Sequence, residues 1–479
     1  MNDATIAEIR KKFKQAGQGH VFDYFEGLDE AGQSRLLEQA AKIDLEALRS
    51  LAEKHLSTTG DSSNQSSLEG LAPAPYTRLP KNGGDPTEWQ AAANAGSDAI
   101  AAGKVAAFTV AGGQGTRLGY DGPKGTFPVT PVSQKTLFQV FAEKILRSGR
   151  RFGVSISWFI LTSESNNEAT IEAFRQADFW GLDPESVQFI VQGRMPAIDY
   201  KGKILMTDKS TIAMAPDGHG GSLRALVRSG AVEKMAAMGV DYVSYFQVDN
   251  PLVRCIDPEF IGFHLLGESE LSSKMVPKAY AREKVGVFCT QDNQLKVIEY
   301  SDLPGSLQDA VEDDGSIRYN AGSIAIHLFN RELIARVGSD TSDVQLPFHR
   351  ADKKIPFLSA EGQIVKPDTP NGIKFEQFVF DALPLAKKPL VIETARDNEF
   401  SPVKNAEGKD SPETCRDDQL RMFARWLAAA GEPIETDASG LPKVAFEISP
   451  LFAADEADFI AQWSKLEQKI AIREGTIVE

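Results

Sequence analysis

The chain has 479 residues, 42% hydrophobic and 25% charged, with a formal net charge of −15. That length exceeds one ordinary compact core and suggests about three domains, or one large domain with appendages, and the balance of residue types is that of a globular protein rather than a disordered one. The negative field speaks against nucleic acid as a partner, and no apolar run approaches the ~20 residues that span a bilayer.

Residues 1–100 read as an N-terminal helical region. Ile6, Ile9 and Phe13 recur at helical spacing, and Leu36, Leu37, Ala40 and Ala41 make a second apolar stripe. The Ser/Thr-rich run at 57–67 offers nothing to bury and is expected to be a linker. From residue 101 to about 385, short apolar runs alternate with amphipathic stretches. Strands are expected at Val105–Val110, Val154–Leu161, Val187–Val191 and Tyr242–Val248. Helices are expected around Leu137, Phe141 and Ile145, and through Leu223, Leu226, Val227 and Met235. This rhythm predicts an α/β domain with a mixed, mostly parallel sheet covered by helices on both faces. Such sheets bind ligands beyond the carboxyl ends of their strands. Residues 386–479 form a smaller α/β region, with a short strand near Val444–Ile448 and a last helix carrying Phe459, Trp463, Leu466 and Ile470. Met1 opens no basic-then-apolar leader, and Cys255, Cys289 and Cys415 lie too far apart for a metal-ligand pattern. Both features read as a cytoplasmic protein with reduced, buried thiols.

The sharpest motif is Val110-Ala111-Gly112-Gly113-Gln114-Gly115-Thr116-Arg117-Leu118-Gly119, followed by Gly122-Pro123-Lys124-Gly125. Glycines directly after a buried strand let backbone amides approach an anion, and Arg117 and Lys124 add full charges beside them. The dinucleotide pattern fails because Leu118 stands where its third glycine belongs. A P-loop fails because Gly125, not Ser or Thr, follows Lys124.

This string resembles the signature of the eukaryotic-type UDP-sugar pyrophosphorylases, and within them the UDP-N-acetylglucosamine pyrophosphorylases. The resemblance runs from the N-terminal helices to Glu447-Ile448-Ser449-Pro450-Leu451. It implies a Rossmann-like, GT-A-like nucleotidyltransferase fold. The implied reaction joins UTP to a sugar-1-phosphate, most readily N-acetylglucosamine-1-phosphate, releasing pyrophosphate. It also implies a Mg²⁺ ion, or Mn²⁺ in its place. Val110, Ala111, Gly112, Gly113 and Lys124 would hold the nucleotide, with Arg117, Lys124 and Lys404 as the catalytic cations. Gln192, after the strand Val187–Val191, would hold the uracil, since an amide offers an imide edge both donor and acceptor. Asp249, in Gln247-Val248-Asp249-Asn250, would carry the metal. Gly218 and Lys374 would meet the nucleotide, and His219, Glu299, Tyr300, Asn320, Ser323 and Lys404 the sugar phosphate. Ser222 reads as the N-cap of the helix that follows.

His219 departs from the N-acetylglucosamine subfamily, where asparagine is usual, and matches the Gly-His-Gly of the UDP-glucose enzymes. Glucose-1-phosphate and a broad sugar range therefore stand as alternatives. A non-catalytic UDP-sugar-binding protein is a reading of another class, disfavoured by the complete set of cations. No pattern specifies an oligomeric state.

Overall fold

The computed structural model describes residues 3–56 and 68–479, so the Ser/Thr-rich run expected as a linker lies outside the described residues. The chain divides into two compact units. The first comprises Met1–Glu69, Gly193–Ser222 and Leu346–Asp381, and the second Gly70–Gln192, Leu223–Gln345 and Ala382–Glu479.

In the first unit the helices Asp3–Gln15, Glu30–Ala41 and Leu45–Leu56 bury their apolar faces against segments from the middle of the chain. Asp29 caps the second helix by accepting from Gly32 N at 2.8 Å, and Asp44 accepts from Ala47 N at 2.9 Å at the start of the third. Phe13, Leu36, Leu37 and Leu48 pack in one core with Ile198, Ile204, Ile212, Ile373 and Phe375. Among these segments, Gly372–Glu376 is the middle strand of a three-stranded antiparallel sheet, flanked by His349–Lys353 and Ile198–Asp199. Burial of the helical stripes is thus met by residues some 150 or more positions away in sequence (roughly; Phe13 against Ile198 spans that distance), which is the loop-closure cost this unit must offset.

The second unit is built on a ten-stranded sheet. In chain order its strands are β1 (Ala72–Pro73), β2 (Val105–Val110), β3 (Trp158–Thr162), β4 (Val187–Val191) and β5 (Tyr242–Gln247), then β6 (Leu271–Pro277), β7 (Val287–Gln291), β8 (Gln294–Ile298), β9 (Ala321–Asn330) and β10 (Leu390–Glu393). The spatial path is β1-β7-β9-β5-β2-β3-β4, with β6 pairing β9 and β10, and β8 pairing β7. The block β5-β2-β3-β4 is parallel, as the alternation of strands and helices predicts. β9 then runs antiparallel to β5, and the sheet continues through antiparallel pairs at β6, β7 and β8. The sheet is therefore mixed. The central parallel strands β2 and β3 are mostly apolar and buried on both faces, whereas β4 at the edge is only partly buried. Helices Pro86–Ala101 and Pro258–Leu266 cover it together with Leu137–Phe152 and Pro412–Ala429, all sharing one core.

Local chemistry shifts several expected boundaries. Helix Leu137–Phe152 stops at Gly153, whose left-handed φ of 73° ends it, and the following strand begins only at Trp158 rather than Val154. The stripe Leu223–Met235 is two helices, Gly221–Arg228 and Ala231–Ala237, broken at Gly230 with φ 74°. Ser222 lies inside the first of these rather than capping it, and its hydroxyl is buried without a hydrogen-bond partner among the described residues. The last helix ends at Ser464, so Leu466 and Ile470 reach the core from the irregular chain beyond it. The C-terminal strand is Phe446–Ile448, paired in parallel with Thr476–Val478. All three cysteines are free and buried.

One aromatic supports the floor of the sheet's carboxyl edge. Phe138, wholly buried, packs edge-on against Phe174 at 5.1 Å and Trp158 at 6.3 Å, and its ring stands where a side chain at Gly125 would project. Phe138→Ala is expected to cost about 3–5 kcal/mol, read as a lowered midpoint of chemical unfolding. A midpoint unchanged from the parent protein would contradict this packing.

Candidate functional site

The site in the second unit begins with strand register. β2 and β5 are parallel neighbours, with Val110 opposite Gln247, so whatever follows each strand emerges on the same edge. After β2 the chain makes the glycine loop; after β5 it reaches Asp249. The consequence is direct contact: Lys124 Nζ lies 3.3 Å from Asp249 Oδ2, with both side chains only 15% exposed.

The loop is shaped mainly by its own backbone. Gly115 N donates to Gly122 O at 2.9 Å and Lys124 N to Gly113 O at 3.1 Å, so the Pro-Lys-Gly segment folds back beneath the glycines. The turn Thr116–Leu118 carries Arg117, which is exposed and makes no ion pair among the described residues. β4 ends at Val191, and Gln192 N donates to Thr162 O at 2.8 Å. Its side chain reaches the loop, since a methyl group on Gly112 would stand 3.1 Å from Gln192 Oε1. Glycine at 112 is what leaves that space open.

The Lys404 segment joins the same edge through the main chain. Val403 N donates to Asp249 O at 2.8 Å, and Lys404 N to Asp410 O at 2.7 Å. The Lys404 side chain is exposed and makes no ion pair among the described residues. Two exposed cations carried on the segments that meet at this strand edge, with the glycine loop, suit an anionic ligand of high charge.

Four of the expected sugar-side residues, Glu299, Tyr300, Asn320 and Ser323, lie at two neighbouring elements. Glu299 and Tyr300 follow β8 in a turn closed by Asp302 N to Glu299 O at 2.9 Å. Asn320 precedes β9 and accepts from Lys278 N at 2.9 Å, while Ser323 N donates to Gly286 O at 2.8 Å. Gly286 also lies under the Glu299 carboxylate, where a methyl would stand 3.2 Å from Oε1. Glu299 and Ser323 are thus adjacent across one glycine.

Gly218, His219 and Lys374 belong to the first unit. Gly218 has φ +83°, and its α carbon sits against the Gln377 backbone, so only glycine fits. Gly220 N donates to Gln377 O, and Gln377 N to Asp217 O, each at 2.8 Å. These bonds tie the Gly218–His219 turn to the chain just beyond Lys374, which lies on the strand Gly372–Glu376. His219 Nδ1 accepts from Val379 N at 3.1 Å, which leaves the neutral ring's proton on Nε2. Its ring stacks on Phe378 at 5.4 Å. Burial, with His349 adding repulsion, pushes its pKa down to about 4.

Sequence reasoning missed two supporting residues. Asn166 is almost wholly buried beyond β3, and its Nδ2 donates to Ala111 O at 2.9 Å and Gly113 O at 3.2 Å. Its Oδ1 accepts from Ser163 N at 2.8 Å. It lies in a run of polar residues, any of which the sequence would have allowed to be solvated. Asn250 stands in the sequence only as the neighbour of Asp249, yet it is 4% exposed and hydrogen-bonded through both its Nδ2 and its Oδ1 to the Lys404 segment.

A glycine loop, flanking cations and a carboxylate at adjacent parallel strand ends define the class: a nucleotidyltransferase. The UTP–glucose-1-phosphate uridylyltransferase family model matches residues 51–409. The chain is 38% identical to the UDP-N-acetylhexosamine pyrophosphorylase-like protein 1 of Homo sapiens, covering 94% of this chain and 93% of that protein. It is 36% identical to the UDP-N-acetylglucosamine pyrophosphorylase of Saccharomyces cerevisiae, covering 89% of this chain and 92% of that one. A solved structure of the uridine diphosphate N-acetylglucosamine pyrophosphorylase of Trypanosoma brucei, in complex with inhibitor, superimposes with a TM-score of 0.81 at 25% identity, over 100% of this chain and 98% of that one. The chain belongs to the UTP–glucose-1-phosphate uridylyltransferase family. No helix of the described residues is long and apolar enough to cross a membrane.

The buried histidines give a pH dependence with a definite sign. His219 and His264 both have pKa values pushed down to about 4, chiefly by burial, from an ordinary 6.5. The unfolded chain therefore takes up these protons first as pH falls. Their contribution is fully present above about 6.5 and is lost as pH descends through about 4. Melting temperature is expected to fall across that window, and less steeply in His219→Gln. Identical profiles for the two proteins would contradict the neutral, buried state of His219.

Proposed function

We propose that the chain transfers the uridylyl group of UTP to N-acetylglucosamine-1-phosphate, forming UDP-N-acetylglucosamine and pyrophosphate. The observation that carries this is the meeting of Lys124 and Asp249, 3.3 Å apart, beside the glycine loop at the ends of β2 and β5. The names of the yeast and trypanosome relatives support the choice of sugar.

A phosphate oxygen of the sugar-1-phosphate forms a bond to the α-phosphorus of UTP. The bond from that phosphorus to the bridging oxygen breaks, and pyrophosphate departs with the electron pair. The nucleophile is already ionised at neutral pH, so no general base is required. What the protein must supply is alignment of two polyanions and neutralisation of their repulsion. In this reading the amides of Gly112 and Gly113, with Val110 and Ala111 behind them, cradle the phosphates. Lys124 and Arg117 neutralise the charge that develops at the reacting phosphate, and Lys404 holds the sugar phosphate. Gln192 reads the uracil. Gly218 and Lys374 serve the nucleotide, and His219, Glu299, Tyr300, Asn320 and Ser323 the sugar.

Asp249 suits a Mg²⁺ or Mn²⁺ ion shared with substrate. The described residues hold no cluster of three or more metal-ligating side chains, and Mg²⁺ commonly takes one or two carboxylates and completes its shell with phosphates and water. When bound, such an ion supplies further neutralisation of phosphate oxygens. The neutral His219, with its proton on Nε2, is a hydrogen-bond donor throughout the physiological range. The segment Gly218-His219-Gly220 favours glucose-1-phosphate as the second acceptor to be tested.

Lys124→Ala and Arg117→Ala are each expected to lower turnover by about 10²-fold or more, by analogy with the loss of a donor to a developing oxyanion. The assay is pyrophosphate release from UTP over a panel of sugar-1-phosphates. N-acetylglucosamine-1-phosphate should give the highest kcat/KM. Preference for glucose-1-phosphate would overturn the sugar assignment, and near-parental turnover in both variants would overturn the site.

A further inference from the structure

The exposed Lys404 has no side-chain partner among the described residues to fix it, so its position must be set by the backbone that carries it. That backbone is bound to the Asp249 segment by one buried side chain. Asn250 Nδ2 donates to Glu399 O at 2.7 Å, and its Oδ1 accepts from Ser401 N at 3.1 Å. One amide thus satisfies a carbonyl and an N–H two residues apart, a complementarity that neither carboxylate nor hydroxyl reproduces. Val403 N to Asp249 O at 2.8 Å closes the same ladder one step from Lys404.

The neighbourhood is rigid on both sides of this contact. Lys144 Nζ, buried, donates to Pro251 O at 2.6 Å and Val253 O at 2.9 Å, pinning the chain just after Asn250. On the other side the Glu399 carboxylate takes Lys274 Nζ at 2.5 Å and Thr394 Oγ1 at 2.7 Å. Lys274 also reaches Asp257 Oδ2 at 2.5 Å. Two anchored segments are therefore joined by the Asn250 amide. We propose that Asn250 is a positioning residue of the transfer reaction, locking the 399–404 segment to the strand end that carries Asp249 and so setting where the Lys404 ammonium stands.

This rests on the roles given above to Lys404 and Asp249. Asn250→Asp keeps size and shape, retains an acceptor for Ser401 N and sets an oxygen against Glu399 O. It is expected to lower kcat by ten-fold or more while KM for UTP changes less than three-fold. The deciding experiment is a double-mutant cycle of Asn250→Asp with Lys404→Ala, read as kcat for UTP with N-acetylglucosamine-1-phosphate, with melting temperatures recorded for each protein. Asn250→Ser serves in the same cycle if the aspartate variant fails to fold. If Asn250 acts through Lys404, its substitution adds less than three-fold in the Lys404→Ala background. Effects that multiply in full overturn the positioning role while leaving the function of Lys404 intact. Parental kcat in Lys404→Ala alone overturns the role of Lys404 and this proposal with it.

Discussion

The parallel pairing of β2 with β5 is the constraint from which the candidate site follows. Val110 and Gln247 stand opposite one another, so two loops separated by well over a hundred residues of chain leave the sheet at adjacent points. The one carries amides and Lys124; the other carries Asp249. A one-residue slip of β5 would exchange the side chains packed on its two buried faces, and burial of Val243 and Tyr245 on one face and of Ser244 and Phe246 on the other holds it in place. The hydrophobic core therefore fixes where the two loops leave the sheet, and the hydrogen bonds of the glycine loop and of Asn166 then carry Lys124 to the carboxylate.

The electrostatics follow the same logic at shorter range. A chain of net charge −15 must gather cations locally to receive a polyanion. It does so with Lys124, Arg117 and Lys404, leaving two of them without carboxylate partners among the described residues. The buried ions of Lys274, Asp257 and Glu399 are of a different kind. Charges so deeply placed gain little net stability against desolvation. Their value here is geometric, since they anchor the segment leading to Lys404 and leave that side chain exposed.

How much of this was legible in the sequence depended on the range over which each feature is determined. Val105–Val110 and Val187–Val191 were read to the residue, because each is a short, mostly apolar, β-branched run with polar or glycine residues at its ends. The glycine loop was legible because few residues other than glycine permit amides to approach a phosphate. The antiparallel half of the sheet was not, since β6, β7 and β9 pair through long-range register that no local pattern encodes; only the β7–β8 hairpin, turned at Asp292-Asn293 with positive φ at both residues, is local. Nor was the sharing of a core between the N-terminal helices and the segments around Ile198 and Ile373, whose hydrophobicity alone does not say what they pack against. Asn166 and Asn250 illustrate the limit at the site. Asn166 satisfies three backbone groups and Asn250 two, yet in sequence each is one polar residue among several in a loop. Ser222 failed for a related reason: a serine before an apolar stripe resembles a cap, but the helix begins one residue earlier.

The central claim is a single direct displacement at the α-phosphorus, driven by alignment and charge neutralisation without a covalent enzyme intermediate. It is tested most directly by exchange of radiolabelled pyrophosphate into UTP, measured with and without N-acetylglucosamine-1-phosphate. The account predicts exchange only when the sugar phosphate is present, because UTP can then be re-formed only from the UDP-sugar. Label entering UTP in its absence would show a uridylylated enzyme and contradict the mechanism. No exchange under either condition would contradict the transfer itself.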